Sequence, residues 1–525
     1  MGKTMLRACL LLLFVGLLSL QNVAAAADAK PARPNIVVIV CDDMGFSDLG
    51  CFGSEIDTPN LDALAANGLR FTDFHNNAKC SETRASLLTG LWHQQSKNLK
   101  KAGHVTLAEV LHRAGYSTMM SGKWHVDGQP RDRGFDRYFG FLGGAISFFT
   151  GRDWGSDKNL MRLDREVYNA PDGFYSTNAF TDYAIEFIDE AKTKAPEKPF
   201  FLYLAHNAPH FPLHALPEDI AKYRGRFSEG WDAIRKRRYA KLQKLGIVDD
   251  TWRLSERDPK VEAWSQITPE QAEFLLPMIE VYAAMVDRLD QNIGRLVSHL
   301  RERGELDNTL IVFFSDNGAC PYNRMQSPNV PPGPANSDIA YDARWANMCN
   351  TPLRLYKQYA HEGGSSTPMI AHWPAGIPKS ANGSLTPFTS HLVDLMPTVV
   401  ELAATEYPQA VDGKSILPME GVSLVPALKS GQTDRGDKPI FWEYAANHAI
   451  RDGHWKLVAE RSKDWELYDL STDRSETTNL AADRPGKVKA LANAYDTWAT
   501  RAGAKTHAQC LKTKPSTQSQ LFTLP

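Results

Sequence analysis

The chain has 525 residues, with 59 Lys plus Arg against 61 Asp plus Glu and a formal net charge of -2. At 43% hydrophobic and 23% charged it has the make-up of an ordinary globular protein, long enough for a large core and an appended unit. The balanced charge and the lack of a long basic run argue against nucleic acid as a partner.

The N-terminus reads as an export signal. Lys3 and Arg7 form a basic start, Leu10 to Leu20 is apolar, and Ala24 to Ala27 offers small residues for cleavage. Residues 1–27 are therefore expected to be a signal peptide, and the product to be exported to the periplasm or the medium. Cys9 precedes the apolar run, which argues against a lipid anchor, and no other segment is apolar for long enough to span a membrane. Export permits disulfides. A Cys320 to Cys349 pair is the expected one, with small buried thiols as the alternative.

In chain order, Asn35 to Val40 is a β-branched run suited to a strand buried on both faces, ending in Asp42-Asp43. A short helix follows, with Thr58 as cap, Pro59 in its first turn and Gly68 as its stop. Leu69 to Phe74 is the next strand. Thr106 and Glu109 form a capping box for a helix closed by Gly115, and Tyr116 to Ser121 leads to Lys123 and His125. A helix near Thr181 to Ala191, a strand from Pro199 to Ala205 and a charged, solvated helical insertion at about 215–265 come next. A long helix runs from Thr268 to about Arg303, with a kink or break at Pro277. The strand Thr309 to Phe314 then ends in Asp316-Asn317. This alternation implies a large, mainly parallel mixed sheet sandwiched by helices. After residue 410, short alternating runs around Trp442, His454 to Val458 and Trp465 to Leu470, followed by a helix near Val488 to Ala499, suggest an antiparallel sheet. The expected division is a catalytic domain over 28–410 and a smaller α+β subdomain with tail over 411–525.

In such sheets ligands bind beyond the carboxyl ends of the strands. Asp42, Asp43, Asp316 and Asn317 all lie at such ends and offer oxygen ligands alone, which suits a hard cation, Ca²⁺ or Mg²⁺. Either pair by itself is more often a turn or a helix cap; the two together, with the motifs below in order, favour a metal. Cys80 and Arg84 are spaced to share one helix face, and a helix beginning just after Cys80 would place unpaired N–H groups beside that cysteine.

The run Cys80-Ser81-Glu82-Thr83-Arg84-Ala85-Ser86-Leu87-Leu88-Thr89-Gly90 resembles the signature at which sulfatases convert a cysteine into formylglycine. With Pro34-Asn35-Ile36, Asp42-Asp43-Met44-Gly45, Gly122-Lys123-Trp124-His125, Ala208-Pro209-His210, Ser315-Asp316-Asn317-Gly318 and Tyr356-Lys357, the chain resembles a type I sulfatase of the arylsulfatase kind, within the alkaline-phosphatase-like superfamily. The resemblance runs from Pro34 to about Ala482. It implies hydrolysis of an organic sulfate monoester, aryl or carbohydrate, by a formylglycine hydrate made from Cys80 by a formylglycine-generating enzyme. It further implies a metal, normally Ca²⁺, on Asp42, Asp43, Asp316, Asn317 and residue 80. Arg84 and Lys123 would then hold the hydrate and the sulfate, His125 would take the proton that releases sulfate, and His210 and Lys357 would face the leaving oxygen. His206 and His361 adjoin these motifs without a family role. Three positions depart from the family pattern: Glu82, where Pro or Ala is usual, bears on conversion, while Tyr444 and His448, where His and Arg are usual, bear on the substrate pocket. The alternatives are a phosphoesterase of the same superfamily, which would more often use Ser or Thr as nucleophile, and a non-catalytic binder of sulfated glycans if Cys80 stays a thiol.

Overall fold

The computed structural model describes residues 33–96, 99, 103–514 and 521–524; the expected signal peptide, with Cys9, lies outside them. A ten-stranded sheet organises the chain. Its strands are β1 (Asn35–Cys41), β2 (Leu69–Phe71), β3 (Ser117–Lys123), β4 (Arg137–Phe141), β5 (Met161–Leu163), β6 (Glu166–Val167), β7 (Phe200–Ala205), β8 (Thr309–Ser315), β9 (Met369–His372) and β10 (Ser384–Thr386). They lie in the order β10-β2-β9-β8-β1-β7-β3-β4-β5-β6. The central strands β8, β1, β7, β3 and β4 are all parallel. β9 and β5 enter antiparallel on either flank.

The period of two along β1 divides the core. Val37, Ile39 and Cys41 face a cluster built with the helices Pro59–Ala66, Ser176–Lys194 and Pro269–Glu302. Ile36, Val38 and Val40 face a second cluster, which contains Leu87 and Leu88 of the helix Cys80–Thr89 and Leu107 and Leu111 of the helix Leu107–Arg113. That second cluster continues into a four-stranded antiparallel sheet, β11 (Ile440–Tyr444), β12 (Asn447–Asp452), β13 (Trp455–Ala459) and β14 (Glu466–Asp469), backed by the helix Pro485–Ala502.

Buried charges join the two sheets. Arg451 donates to Asp73 at 2.6 Å, Lys456 contacts Glu362 at 2.6 Å and Glu476 at 2.9 Å, and Arg474 pairs with both Asp73 and Glu362. Three acids thus meet three cations, so burial strands no net charge.

Four expectations change. The 215–265 segment is helical, over Pro217–Tyr223 and Gly230–Lys244, but it is not a solvated excursion. Trp231, Ile234 and Leu242 enter the first core, and buried Arg238 pairs with Asp48 at 2.6 Å and Glu55 at 2.7 Å. Its charges had partners distant in sequence. The helix Pro269–Glu302 is not broken at Pro277: the carbonyl that Pro277 leaves without a donor belongs to exposed Glu273, where water can satisfy it. Cys320 and Cys349 are free buried thiols rather than a disulfide, Cys320 packing with Phe211 and Ala340 and Cys349 within the first core. Finally, the stretch expected as one strand over Leu69 to Phe74 is two, Leu69–Phe71 and Phe74–His75.

Candidate active site

Strands β1 and β8 run side by side, Val40 opposite Phe314 and Cys41 opposite Ser315, so Asp42-Asp43 and Asp316-Asn317 emerge together at their carboxyl ends. Asp43 has φ 72, a left-handed conformation that costs an L residue about 1–3 kcal/mol and tends to occur at functional sites. Its backbone N–H donates to Asp316 Oδ1 at 3.3 Å, and Asn317 Nδ2 donates to Asp43 Oδ1 at 2.7 Å.

The helix Cys80–Thr89 starts at Cys80, directing its first N–H groups and positive dipole end toward the same place. Arg84, one turn on, is fully buried and donates to Asp316 Oδ2 at 2.7 Å, to the Lys123 carbonyl at 2.9 Å and to the Tyr203 hydroxyl at 3.3 Å. Lys123 ends β3, and its Nζ contacts Asp42 Oδ2 at 2.5 Å. The preceding Gly122, at φ 109, is obligatory there, since a Cβ would stand 1.9 Å from the Ala205 carbonyl oxygen of β7. Lys357 binds Asp43 Oδ1, and His210 Nε2 lies 3.4 Å from Asp43 Oδ2. His125, also left-handed at φ 53, lies against the Cys80 sulfur. All ten residues singled out in the sequence therefore meet in one buried site. Beside it opens a cleft of about 370 Å³, with Glu82, His93, His125 and Asp127 in its wall.

The electrostatics favour an anion at position 80. Burial pushes the Cys80 thiol up, but Lys123, Lys79 and Lys357 outweigh it and hold the thiol well below its ordinary value. Burial works against Asp43 too, yet Lys357 keeps its carboxyl below the usual range. Asp316 goes the other way: burial and neighbouring Asp42 raise it to about 7, despite Arg84. Burial lowers His125 to about 4 and His210 to about 3, which leaves both imidazoles neutral at pH 7.

Three buried oxygens here, Asp42 Oδ1, Asp43 Oδ2 and Asn317 Oδ1, have no hydrogen-bond partner. Orphaned carboxylate and amide oxygens converging at strand ends form the donor set a hard cation takes. Asp42, Asp43 and His210 also place potential ligand atoms within 4.8 Å of one another. Asp316 is the expected ligand most occupied elsewhere, by Arg84 and the Asp43 N–H. A second such cluster, Asp73, His75 and Glu362, already holds Arg451, Arg474 and Lys456, so its acids have their counter-charges.

The family model described as Sulfatase matches residues 34–405. The chain belongs to the sulfatase family. A second model, N-sulphoglucosamine sulphohydrolase C-terminal, matches residues 354–494. The chain is 34% identical over 520 residues to an uncharacterized sulfatase of Schizosaccharomyces pombe, covering 88% of this chain and 93% of the relative. It is 35% identical over 434 residues to an arylsulfatase of Klebsiella aerogenes, covering 75% of this chain and 92% of the relative. Among solved structures, Ps i-CgsB in complex with k-i-k-neocarrahexaose superposes with TM-score 0.64 at 26% identity, covering 89% of this chain and 92% of that one. This sulfatase is thus a sulfate-ester hydrolase with a type I sulfatase fold, and no helix among its described residues is long and apolar enough to cross a membrane.

Sequence reasoning missed several of the sulfatase's site residues. Lys79, just before Cys80, places its ammonium 5.8 Å from the Tyr322 ring centre, and Tyr203 and Thr83 brace Arg84 and the Asp316 carbonyl. A lysine one residue before the cysteine signature was the only available hint. His206 and His361 belong to the framework: His206 packs on Phe180 with neither ring nitrogen bonded, and His361 reaches Glu466 at 3.3 Å. Of the departures from the family pattern, Glu82 hydrogen-bonds Ser81 at 2.5 Å at the site, and Tyr444 is close enough to sense Lys79 and Cys80. His448 contacts His507 at 2.8 Å, in the C-terminal sheet.

Proposed function

We propose that this sulfatase cleaves the sulfate monoester of a carbohydrate, with aryl sulfates as activated surrogates, using formylglycine formed from Cys80 and a Ca²⁺ ion. The observation that carries the reading is the set of orphaned oxygens on Asp42, Asp43 and Asn317 facing a helix start at Cys80 that three lysines surround. Asp42, Asp43 and Asn317 would hold the ion, with Asp316 as a further ligand, and the ion would supply Lewis-acid polarisation of sulfuryl oxygens. The Cys80 sulfur stands where a hydrated aldehyde would present two hydroxyls, one to attack sulfur and one whose ionisation expels sulfate. The arylsulfatase and the neocarrahexaose complex among the similar proteins support both substrate types.

The chain's own residues then divide the work. Arg84 and Lys123, pinned by Asp316 and Asp42, hold positive charge beside residue 80 without having to reorganise. His125, neutral at pH 7, is the proton acceptor there. On the leaving-group side, His210 Nδ1 is 2.6 Å from the Phe211 carbonyl, to which it must donate. A neutral His210 therefore presents a bare Nε2, and the permanent ammonium of Lys357 is the group able to meet the departing oxygen. Export through residues 1–27 and conversion by a formylglycine-generating enzyme complete the proposal.

The test is hydrolysis of nitrophenyl sulfate against nitrophenyl phosphate, before and after chelation. The sulfate should be the faster substrate, and its turnover should vanish with EDTA and return with Ca²⁺. Faster phosphate turnover, or a rate indifferent to chelation, would refute the proposal.

A further inference from the structure

Beyond Lys357 and His210 the site wall changes from charged to aromatic. The Tyr322 ring lies 5.5 Å from Lys357 Nζ and 5.8 Å from Lys79 Nζ. Phe211, next to His210, has its ring centre 5.9 Å from Tyr322 and 5.0 Å from Trp154. Arg324 lies on this wall, its guanidinium carbon 3.3 Å from the Trp154 ring centre and 5.7 Å from Phe211. Phe211 is buried, while Tyr322, Trp154, Arg324 and Lys79 are half-buried, so each of the four keeps part of its surface open to solvent.

Two of these groups make no direct ion pair. Neither Lys79 nor Arg324 has an ion-pair partner among the described residues. Asp338 acts on Arg324 from beyond ion-pair distance, its Oδ1 accepting from Trp154 Nε1. Half-burying a cation without a direct ion-pair partner carries a desolvation cost that an anionic ligand in contact would offset. Fixed rings beside two unpaired cations suit a ring-shaped, multiply charged molecule better than a small apolar one.

We propose that Tyr322, Phe211, Trp154 and Arg324 form a subsite for the part of a sulfated saccharide that carries a second anionic group, sulfate or carboxylate, with Arg324 and Lys79 reading that charge. This rests on the placement of the leaving group between His210 and Lys357 proposed above. It narrows the substrate from any sulfate monoester to a polyanionic sugar. Arg324 is a binding residue in this scheme, remote from the reacting sulfur.

The test compares wild type and Arg324→Gln on four probes: nitrophenyl sulfate, a singly sulfated neutral sugar, the same sugar with a second sulfate, and its uronic-acid counterpart. Wild type should show the lowest KM on a doubly anionic sugar, and the better of the two identifies the anion. A charge-assisted contact of this kind typically contributes enough that Arg324→Gln should raise that KM roughly ten- to a hundredfold. KM for nitrophenyl sulfate and the singly sulfated sugar should stay within about twofold, and Arg324→Lys should recover part of the loss. A wild type with no preference for the second anion, or a variant that weakens all four probes alike, would overturn the subsite. If wild type turned over nitrophenyl sulfate not at all, the proposed function would fail. The subsite would then be decided by calorimetry with the disulfated sugar, where equal affinity of wild type and Arg324→Gln would overturn it.

Discussion

Gly144→Ala should slow this enzyme without unfolding it. Gly144 lies outside the left-handed region, so its backbone accepts alanine. The new Cβ, however, would stand 2.9 Å from His125 Nε2 and 3.1 Å from Cε1. Ordinary carbon contacts begin near ~3.5 Å, so the imidazole must retreat by roughly half an ångström or more. Misplacing a catalytic group by about 1 Å can cost ~100-fold, and proton transfer of this kind is worth about 100- to 10,000-fold in all. We therefore expect kcat to fall by about 10- to 100-fold, with the melting temperature nearly unchanged. Because His125 is assigned to sulfate release, the deficit should lie after the first chemical step. Stopped-flow traces with nitrophenyl sulfate should then show a burst of nitrophenolate close to one per converted site, followed by a slow steady state. A kcat within about twofold of wild type would refute the placement of His125. A loss that tracked a lowered melting temperature would refute the argument that only the ring moves.

Lys357→Ala should reduce turnover of a sugar sulfate by a much larger factor than that of nitrophenyl sulfate, whereas His210→Ala, which removes no proton donor, should lower both by a similar factor; equal losses on both substrates for Lys357→Ala would place it on the wrong side of the sulfur. Burial alone lowers His206 to about 3 from 6.5, so the unfolded chain takes up that proton first. Its contribution to stability is complete above pH 6.5 and declines by about 1.4 kcal/mol per pH unit below it, until the folded value near 3 is reached. His206→Leu strands no partner, so urea unfolding at pH 7 and pH 5 should show the variant gaining on wild type by about 2 kcal/mol at the lower pH; an unchanged difference would contradict it. Glu82→Pro should raise the fraction of residue 80 converted to aldehyde in a host with an ordinary maturation system, read as trapping by a hydrazide; an unchanged or lower fraction would remove Glu82 as the cause of any shortfall.

The parts legible in the sequence were those set by local rules. Asn35–Cys41 and Thr309–Ser315 are continuous apolar runs, so the Asp-Asp and Asp-Asn steps after them had to leave the same end of a parallel pair. The capping box at Thr106 fixed one helix start, and the long helix was legible from Thr268 onward. What stayed hidden depends on partners far along the chain. Asp73 meets Arg451 and Arg474 only because the second sheet docks there, and Arg238 looked solvated until Asp48 and Glu55 folded against it. The short strand Met369–His372 gave no sign of its antiparallel entry, because its direction is set by its neighbours Thr309–Ser315 and Leu69–Phe71. Trp154, Tyr322 and Arg324 come from irregular loops without periodicity, so no pattern could have joined them to Lys357.

The account depends most directly on the chemical state of residue 80 in the active enzyme. Mass spectrometry of the peptide containing residue 80, on preparations whose specific activities differ, is the decisive measurement. The account predicts an aldehyde in place of the thiol, with nitrophenyl sulfate turnover proportional to the converted fraction and none from Cys80→Ala. Full activity from a preparation carrying only cysteine at position 80 would contradict it.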